Sequence, residues 1–281
     1  MLTRAQYYKK VGEDVVCLLC PHKCRIGKGH RGICGARENR GGELYSLSDG
    51  YVTALAYDSI KKKPLSFFGE GEILSMGSFG CNFHCDFCQN YRLLDSDVDK
   101  KKIDDSEILE LAKPSMGLAY TYNEPTVNFE MVKRLAGKIK DQGQLNVMVT
   151  NGYIDASPRE ELLGLIDAWS IDYKMPAELY PSVCGGREEV VLETIARAWE
   201  RTHVEVTILL IPGRNTQEEV LRGMLEKLSA IDRNIPLHLS RYFPCYKSNI
   251  PTTALETMYR SYELALDYMD RVVLGNMPMR F

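Results

Sequence analysis

From residue 72 onward the chain repeats one pattern. A short, nearly continuous apolar run is followed by a polar loop and then by a stretch whose apolar residues recur every three or four positions. The apolar runs lie near 73–79, 117–122, 145–150, 168–173, 204–211 and 235–239, with a further short run at 272–274. Runs without polar alternation suit parallel strands buried on both faces. The intervening stretches read as amphipathic helices. In 125–140, Val127, Met131, Leu135 and Ile139 fall every four residues and predict one buried stripe. Helix starts are expected where a capping residue precedes an acid by three: Ser157 and Glu160, with Pro158 at the first helical position, Thr216 and Glu219, Thr253 and Glu256. Stops are expected at Lys113-Pro114 and at Asp141-Gln142-Gly143. Strand–helix alternation predicts an α/β fold with a parallel sheet and right-handed crossovers. Six units and a seventh strand fall short of the eight that close a barrel. The expected fold is therefore a partial (β/α)6 TIM-type barrel over residues 73–281.

Residues 1–72 differ. They are rich in glycine (Gly27, Gly29, Gly32, Gly35, Gly41, Gly42), show little apolar periodicity, and carry four cysteines. They are expected to form a cysteine-rich metal-binding segment whose folding draws on the metal.

Parallel α/β folds bind ligands at the carboxyl ends of their strands. Here those ends read Thr121-Tyr122-Asn123-Glu124-Pro125, Thr150-Asn151-Gly152-Tyr153, Asp172-Tyr173-Lys174, Pro212-Gly213-Arg214-Asn215, Ser240-Arg241-Tyr242 and Gly275-Asn276. Each has a plainer alternative. Gly152 and Gly213 suit turns, Lys174 suits a solvated loop, and Glu124 suits the dipole of the following helix. Together they outline a ligand site.

Composition narrows the setting. Of 281 residues 44% are hydrophobic, an ordinary globular share, and the net charge of −3 gives no electrostatic case for nucleic acid or a membrane surface. There is no run of 18 apolar residues, and the start, Met1-Leu2-Thr3-Arg4-Ala5-Gln6, has no apolar signal region. A cytoplasmic location is expected. Nine cysteines, an odd number, are then read as metal ligands rather than disulfides.

Three of them, Cys81, Cys85 and Cys88, share the loop Cys81-Asn82-Phe83-His84-Cys85-Asp86-Phe87-Cys88. Three thiolates can hold three irons of a [4Fe–4S] cube and leave the fourth open. The alternative is a zinc loop completed by His84 or a distant ligand. Cys17, Cys20, Cys24 and Cys34 supply four thiolates, enough for a closed zinc site or a second iron–sulfur cluster. A structural metal is the first expectation there and a redox relay the second, with His22 as an alternative ligand. Cys184 and Cys245 are left over, as hydrogen-atom donors, extra ligands or inert thiols. The basic run Lys61–Lys63 reads as a solvated turn before Pro64, with a partner contact as the alternative.

The x3, x2 spacing, with Phe87 just before the last cysteine, resembles the signature of the radical S-adenosylmethionine enzymes. The opening Cys17-Leu18-Leu19-Cys20-Pro21-His22-Lys23-Cys24, with Lys62-Lys63-Pro64-Leu65, residues 120–126, His238-Leu239-Ser240-Arg241 and Gly275-Asn276, makes the chain similar to the AmmeMemoRadiSam members of that group. These are relatives of the pyruvate formate-lyase activating enzymes, and the resemblance runs from about Cys17 to Asn276. It implies a six-unit partial barrel with a [4Fe–4S] cluster on Cys81, Cys85 and Cys88. It implies S-adenosylmethionine chelated by the open iron and cleaved reductively to a 5′-deoxyadenosyl radical that abstracts hydrogen. It places adenine beside Phe87. Asn123 and Glu124 stand in for the family's Gly-Gly-Glu, with Tyr122 and Asn123 replacing the glycines, near the methionine amino group. Asn151 and Lys174 match the strand-three asparagine and strand-four lysine of the activases, and Ser240 and Arg241 are further candidates. A protein or peptide substrate and an electron donor such as flavodoxin or ferredoxin are also implied. Many relatives continue past the Gly-Asn with a short cysteine-bearing tail, which this chain, ending at Phe281, is expected to lack. The competing functions are radical modification of a small molecule or nucleic acid, and a metal-stabilised scaffold without turnover.

Overall fold

The computed structural model describes residues 2–278. The expectation about the chain's end falls on residues outside these. An eight-stranded sheet runs, in spatial order, Val272–Gly275, Leu237–Arg241, His203–Leu210, Ala168–Asp172, Leu145–Thr150, Gly117–Tyr120, Glu72–Gly77 and Ala54–Ser59. The first seven are mutually parallel. Helices Asp105–Ala112, Phe129–Asp141, Ala156–Leu163, Glu188–Trp199, Glu218–Ser229 and Leu255–Leu266 make the six crossovers. This is the expected α/β partial barrel, and the short run at 272–274 is its seventh parallel strand.

One strand was not expected. Ala54–Ser59 pairs antiparallel with Glu72–Gly77, from Ala54 opposite Gly77 to Ser59 opposite Glu72. The sheet therefore begins upstream of residue 73. The predicted stripe holds: Val127, Met131, Leu135 and Ile139 are all buried, the first in a 3-10 turn Pro125–Asn128 and the rest in the helix that follows. Each such side chain contributes roughly 1.5–3 kcal/mol by leaving water, enough to seat this helix on the sheet.

The helix stops fall as expected, after Ala112 and after Asp141, with Gly143 at φ +73°. The starts do not. The N-caps are Asp155, Gln217 and Ala254, none with a side-chain capping bond. Ser157 lies inside the first turn of its helix. Thr253 is spent elsewhere: its hydroxyl donates to the Leu210 carbonyl at 2.5 Å and accepts the Tyr242 N–H at 3.3 Å, tying two strand ends to the loop.

The amino-terminal segment is more ordered than its glycine content suggests. Tyr8–Val11, Asp14–Cys17 and Arg25–Ile26 form one antiparallel sheet, and Thr3–Arg4, Glu43–Ser46 and Arg37–Arg40 another. Arg37 fixes the segment to the barrel. Its guanidinium, 1% exposed, makes a two-pronged ion pair with Glu130 at 2.7 and 2.8 Å and donates to the Gln6 carbonyl at 2.9 Å. At the amino end of the barrel, Glu205 accepts from the Ser66 and Phe67 N–H groups and bonds His203 and His238. No helix among the described residues is long and apolar enough to cross a membrane.

Candidate active site

At the opposite end the loops after the parallel strands surround a cavity of about 260 Å3. That lies just below the ~300–1,000 Å3 typical of ligand pockets, the scale of a small cofactor. Cys81, Cys85 and Cys88 line it together with Phe87, Asn123, Glu124, Asn151, Asp172, Lys174, Thr207 and Ser240. No other cysteine does. The cysteine loop follows the first parallel strand, Glu72–Gly77, as expected.

Asn123 builds that loop. Its side-chain oxygen accepts the Ser78 N–H at 2.9 Å, and its amide donates to the Phe79 and Gly80 carbonyls, each at 3.1 Å. Its amide hydrogens and one lone pair of its oxygen are used on the backbone just before Cys81. Glu124 is equally committed. One oxygen accepts the N–H and hydroxyl of Thr126 and the hydroxyl of Thr150. The other accepts the Asn151 N–H at 2.8 Å. Burial raises its pKa, and these four bonds oppose the shift. Both residues border the cavity, but their polar atoms hold the wall.

Asn151 donates to Asn82 at 2.8 Å, accepts the Tyr153 N–H at 2.9 Å and lies 3.8 Å from the Cys81 sulfur, a contact able to tune a bound cluster. Other groups keep capacity for a ligand. Lys174 pairs with Asp172 at 2.7 Å. Burial would lower its pKa; Asp172 outweighs that, so the ammonium stays charged. Thr207 has a buried hydroxyl without a partner, facing the cavity wall. Such a group is costly unless a ligand satisfies it. Phe87, 4% exposed, lies under the Arg214 guanidinium, which is itself clamped to Asp86 at 2.6 and 2.7 Å. Three thiols on one wall, an unpartnered hydroxyl, a cation and an aromatic face fit a [4Fe–4S] cluster with S-adenosylmethionine. Cys81, Cys85 and Cys88 would hold the cluster.

Five expected candidates lie elsewhere. Arg241 donates to the Thr253 carbonyl at 2.7 Å, packs on Phe243 and does not line the cavity, whereas its neighbour Ser240 does. His84 is exposed and its ring lies against Gly185, where an added Cβ would meet it at 2.2 Å. It turns away from the cavity. His22 spends its Nε2 on the Asn82 carbonyl at 2.7 Å rather than on a metal. Cys184 is fully buried behind the loop, its carbonyl accepting the His84 N–H, and its thiol holds the Cys85 pKa down. Cys245 is also off the cavity, on a loop tied to Asp86 by the Lys247 N–H at 2.9 Å. Lys63, in the basic run, is buried against Asp58 at 2.7 Å; Lys61 and Lys62 are exposed. Asp58 in turn accepts from the Tyr122 hydroxyl at 2.8 Å, which braces Tyr122 at φ +70°.

Thr207 and Asn82 were missed in the sequence. A signal for Thr207 existed. In Val204-Glu205-Val206-Thr207-Ile208-Leu209, polar Glu205 and Thr207 share one face of an otherwise apolar strand.

The four amino-terminal cysteines form a second group beside this site. Among the described residues no group of three or more His, Cys, Asp or Glu is already gathered around a metal position.

The sequence model of the Radical SAM superfamily matches residues 76–224, just over half of the chain. An uncharacterized protein of Methanocaldococcus jannaschii is 37% identical over 99% of this chain and 86% of its own length. Among solved structures, a domain of pyruvate-formate lyase-activating enzyme from Bacteroides vulgatus superposes with a TM-score of 0.51 at 21% identity, covering 57% of this chain and 99% of that one. Streptococcus suis SuiB bound to S-adenosylmethionine superposes with a TM-score of 0.56 at 16% identity, covering 70% of this chain and 48% of SuiB. At these identities the two structures establish the fold.

Proposed function

From the premise that the chain belongs to the radical SAM superfamily, we propose that it cleaves S-adenosylmethionine reductively and directs the resulting radical at a protein or peptide. The observation that carries the first part is a cavity whose cysteines are Cys81, Cys85 and Cys88, with the cation of Lys174 and the unpartnered hydroxyl of Thr207 among its other walls. When bound, the cluster and cofactor supply one-electron carbon–sulfur cleavage and a carbon radical able to take a hydrogen atom.

The chain's own residues arrange this. Lys174 offers its ammonium to the cofactor carboxylate, a charge-assisted contact strengthened by partial burial. Asn151 touches Cys81 and fixes the electrostatics at that sulfur. Phe87 presents a face to a flat base. Asn123 and Glu124 keep the loop and the third strand's end in register, acting as positioning residues. The apolar walls of Val149 and Leu209 exclude water from the cavity, where a radical must be shielded.

Two observations support a polypeptide substrate. The cavity is small, so the substrate must meet the radical at the mouth. At that mouth Tyr91 stacks on Tyr246 with ring centroids 4.6 Å apart, beside Asn90 and Leu94 of the lining, and Tyr246 and Phe243 are exposed. SuiB, of the same fold, has a structure bound to its precursor peptide SuiA. The test is anaerobic reconstitution with iron and sulfide, reduction by dithionite, and measurement of 5′-deoxyadenosine, with and without candidate protein partners. Product in the wild type and none in Cys85→Ala supports the cleavage. A paramagnetic signal on an added protein, or deuterium carried from a labelled peptide into 5′-deoxyadenosine, supports the substrate class. Deuterium transfer solely from small molecules would overturn it.

A further inference from the structure

We propose that Cys17, Cys20, Cys24 and Cys34 hold a second iron–sulfur cluster, placed to hand electrons to the Cys81–Cys88 loop from the side away from the cofactor cavity. The relay role rests on the radical reading above; the site itself does not.

Two tight turns bring the four thiols together. In the first, the Lys23 N–H reaches the Cys20 carbonyl at 3.1 Å, with Lys23 at φ +46°, and the Cys17 N–H reaches the Cys24 carbonyl at 3.0 Å. In the second, the Gly35 N–H bonds the Gly32 carbonyl at 3.0 Å, with Gly35 at φ +69°. The turns face each other: a Cβ added at Gly32 would lie 3.7 Å from the Cys24 sulfur. Cys17 is 7% exposed, and Cys20, Cys24 and Cys34 are part-buried. Four sheltered cysteines on facing turns suit a bound metal or cluster that takes them as thiolates. The buried Arg37 guanidinium adds positive charge beside Cys17 and Cys34.

The two cysteine groups touch through the backbone. The Cys81 N–H donates to the Cys34 carbonyl at 3.3 Å. A Cβ at Gly80 would fall 2.6 Å from that same carbonyl, so glycine is needed for the approach. A second path runs from His22 to Asn82 at 2.7 Å, from Asn82 to Asn151 at 2.8 Å, and on to Cys81. None of the four amino-terminal cysteines lines the cavity. With a cofactor filling the cavity face of the loop, an electron has to arrive from another face, and this segment covers one. A structural zinc would explain the four thiolates but not their placement against the loop. In the relay, a low-potential one-electron donor protein reduces the second cluster, and that electron passes to the first; no bond changes and no proton moves.

Iron, sulfide and zinc are to be measured on anaerobically purified, reconstituted protein, with electron paramagnetic resonance after reduction. Two variants are needed, the triple Cys81→Ala, Cys85→Ala, Cys88→Ala and the double Cys20→Ser, Cys24→Ser. About eight irons per chain in the wild type and about four in each variant, with two different signals, are expected for two cubes. One zinc per chain, or iron absent from the triple variant, overturns the site. Should the double variant fail to fold, the triple variant alone decides, because its amino-terminal cysteines are intact. For the relay, reduction of the first cluster by reduced flavodoxin should slow by an order of magnitude in the double variant, with dithionite reduction unchanged. Equal flavodoxin rates overturn the relay. Two clusters without any 5′-deoxyadenosine would count against the radical reading and leave the second site standing.

Discussion

The two ends of the barrel bury charge in opposite ways. At the amino end Glu205, fully buried, has both oxygens occupied by the Ser66 and Phe67 N–H groups, His203 and His238. At the carboxyl end the Thr207 hydroxyl, on the same face of the same strand, has no partner, and Lys174 has one carboxylate for its three donors. A buried polar group that is satisfied internally is architecture; one left short on a cavity wall is placed to meet a ligand. The comparison also sorts the carboxyl end itself. Asn123 and Glu124 sit at the mouth but belong to the satisfied kind.

The sharpest break between the ends is Cys85→Ala against Glu205→Gln. The first should abolish 5′-deoxyadenosine formation and the loop cluster's absorbance; the second should leave both intact at neutral pH. Glu205 should show itself in stability instead. Burial would raise its carboxyl, yet the hydrogen bonds from His203, His238 and the Phe67 N–H hold it at about 2. A depressed carboxylate contributes stability that is complete above its unfolded value, near 4.5, and is lost as pH falls toward 2. At neutral pH this amounts to on the order of 3 kcal/mol. Urea unfolding should find wild type more stable than Glu205→Gln at pH 7 and the gap closing between pH 4.5 and 2. A gap independent of pH would remove Glu205 from the comparison.

Next in size is Lys174→Met, which should weaken S-adenosylmethionine binding by roughly 10- to 100-fold, the worth of one charge-assisted bond, with little change in urea midpoint. Calorimetric titration of the reconstituted variant measures it. The smallest effect expected is from Glu124→Gln, which should cost about 1–3 kcal/mol of stability by turning one accepting oxygen into a donor facing donors. A Glu124→Gln variant of unchanged stability but lost cofactor affinity would make Glu124 a ligand and not a wall.

Much of the fold was legible because buried parallel strands have an unmistakable apolar signature, and the seven runs from residue 73 to 274 all became strands. Ala54–Ser59 was not, because this edge strand, reading Ala-Leu-Ala-Tyr-Asp-Ser, is buried only in part and lacks an alternating apolar pattern. The amino-terminal sheets were hidden for a similar reason: their strands are two to four residues long. Helix starts misled because Thr253 carries the right spacing but finds better partners across the strand ends. At the site, the sequence located the cysteine loop, Phe87, Asn151 and Lys174 on the cavity. Asn123 and Glu124 lie on the cavity too, and only tertiary structure reveals that their side chains also bond the loop backbone and the third strand's end. Arg241 was drawn in by its place after a strand, although its side chain crosses to Thr253.

The central claim is that the cube on Cys81, Cys85 and Cys88 has an iron open to S-adenosylmethionine. It is tested most directly by electron–nuclear double resonance on the reduced protein with cofactor labelled at the methionine amino nitrogen and carboxylate. The account predicts hyperfine coupling of both labels to the cluster in wild type and in Glu205→Gln, and none in Cys85→Ala. A reduced cluster on this loop that binds S-adenosylmethionine without coupling to either label would contradict it.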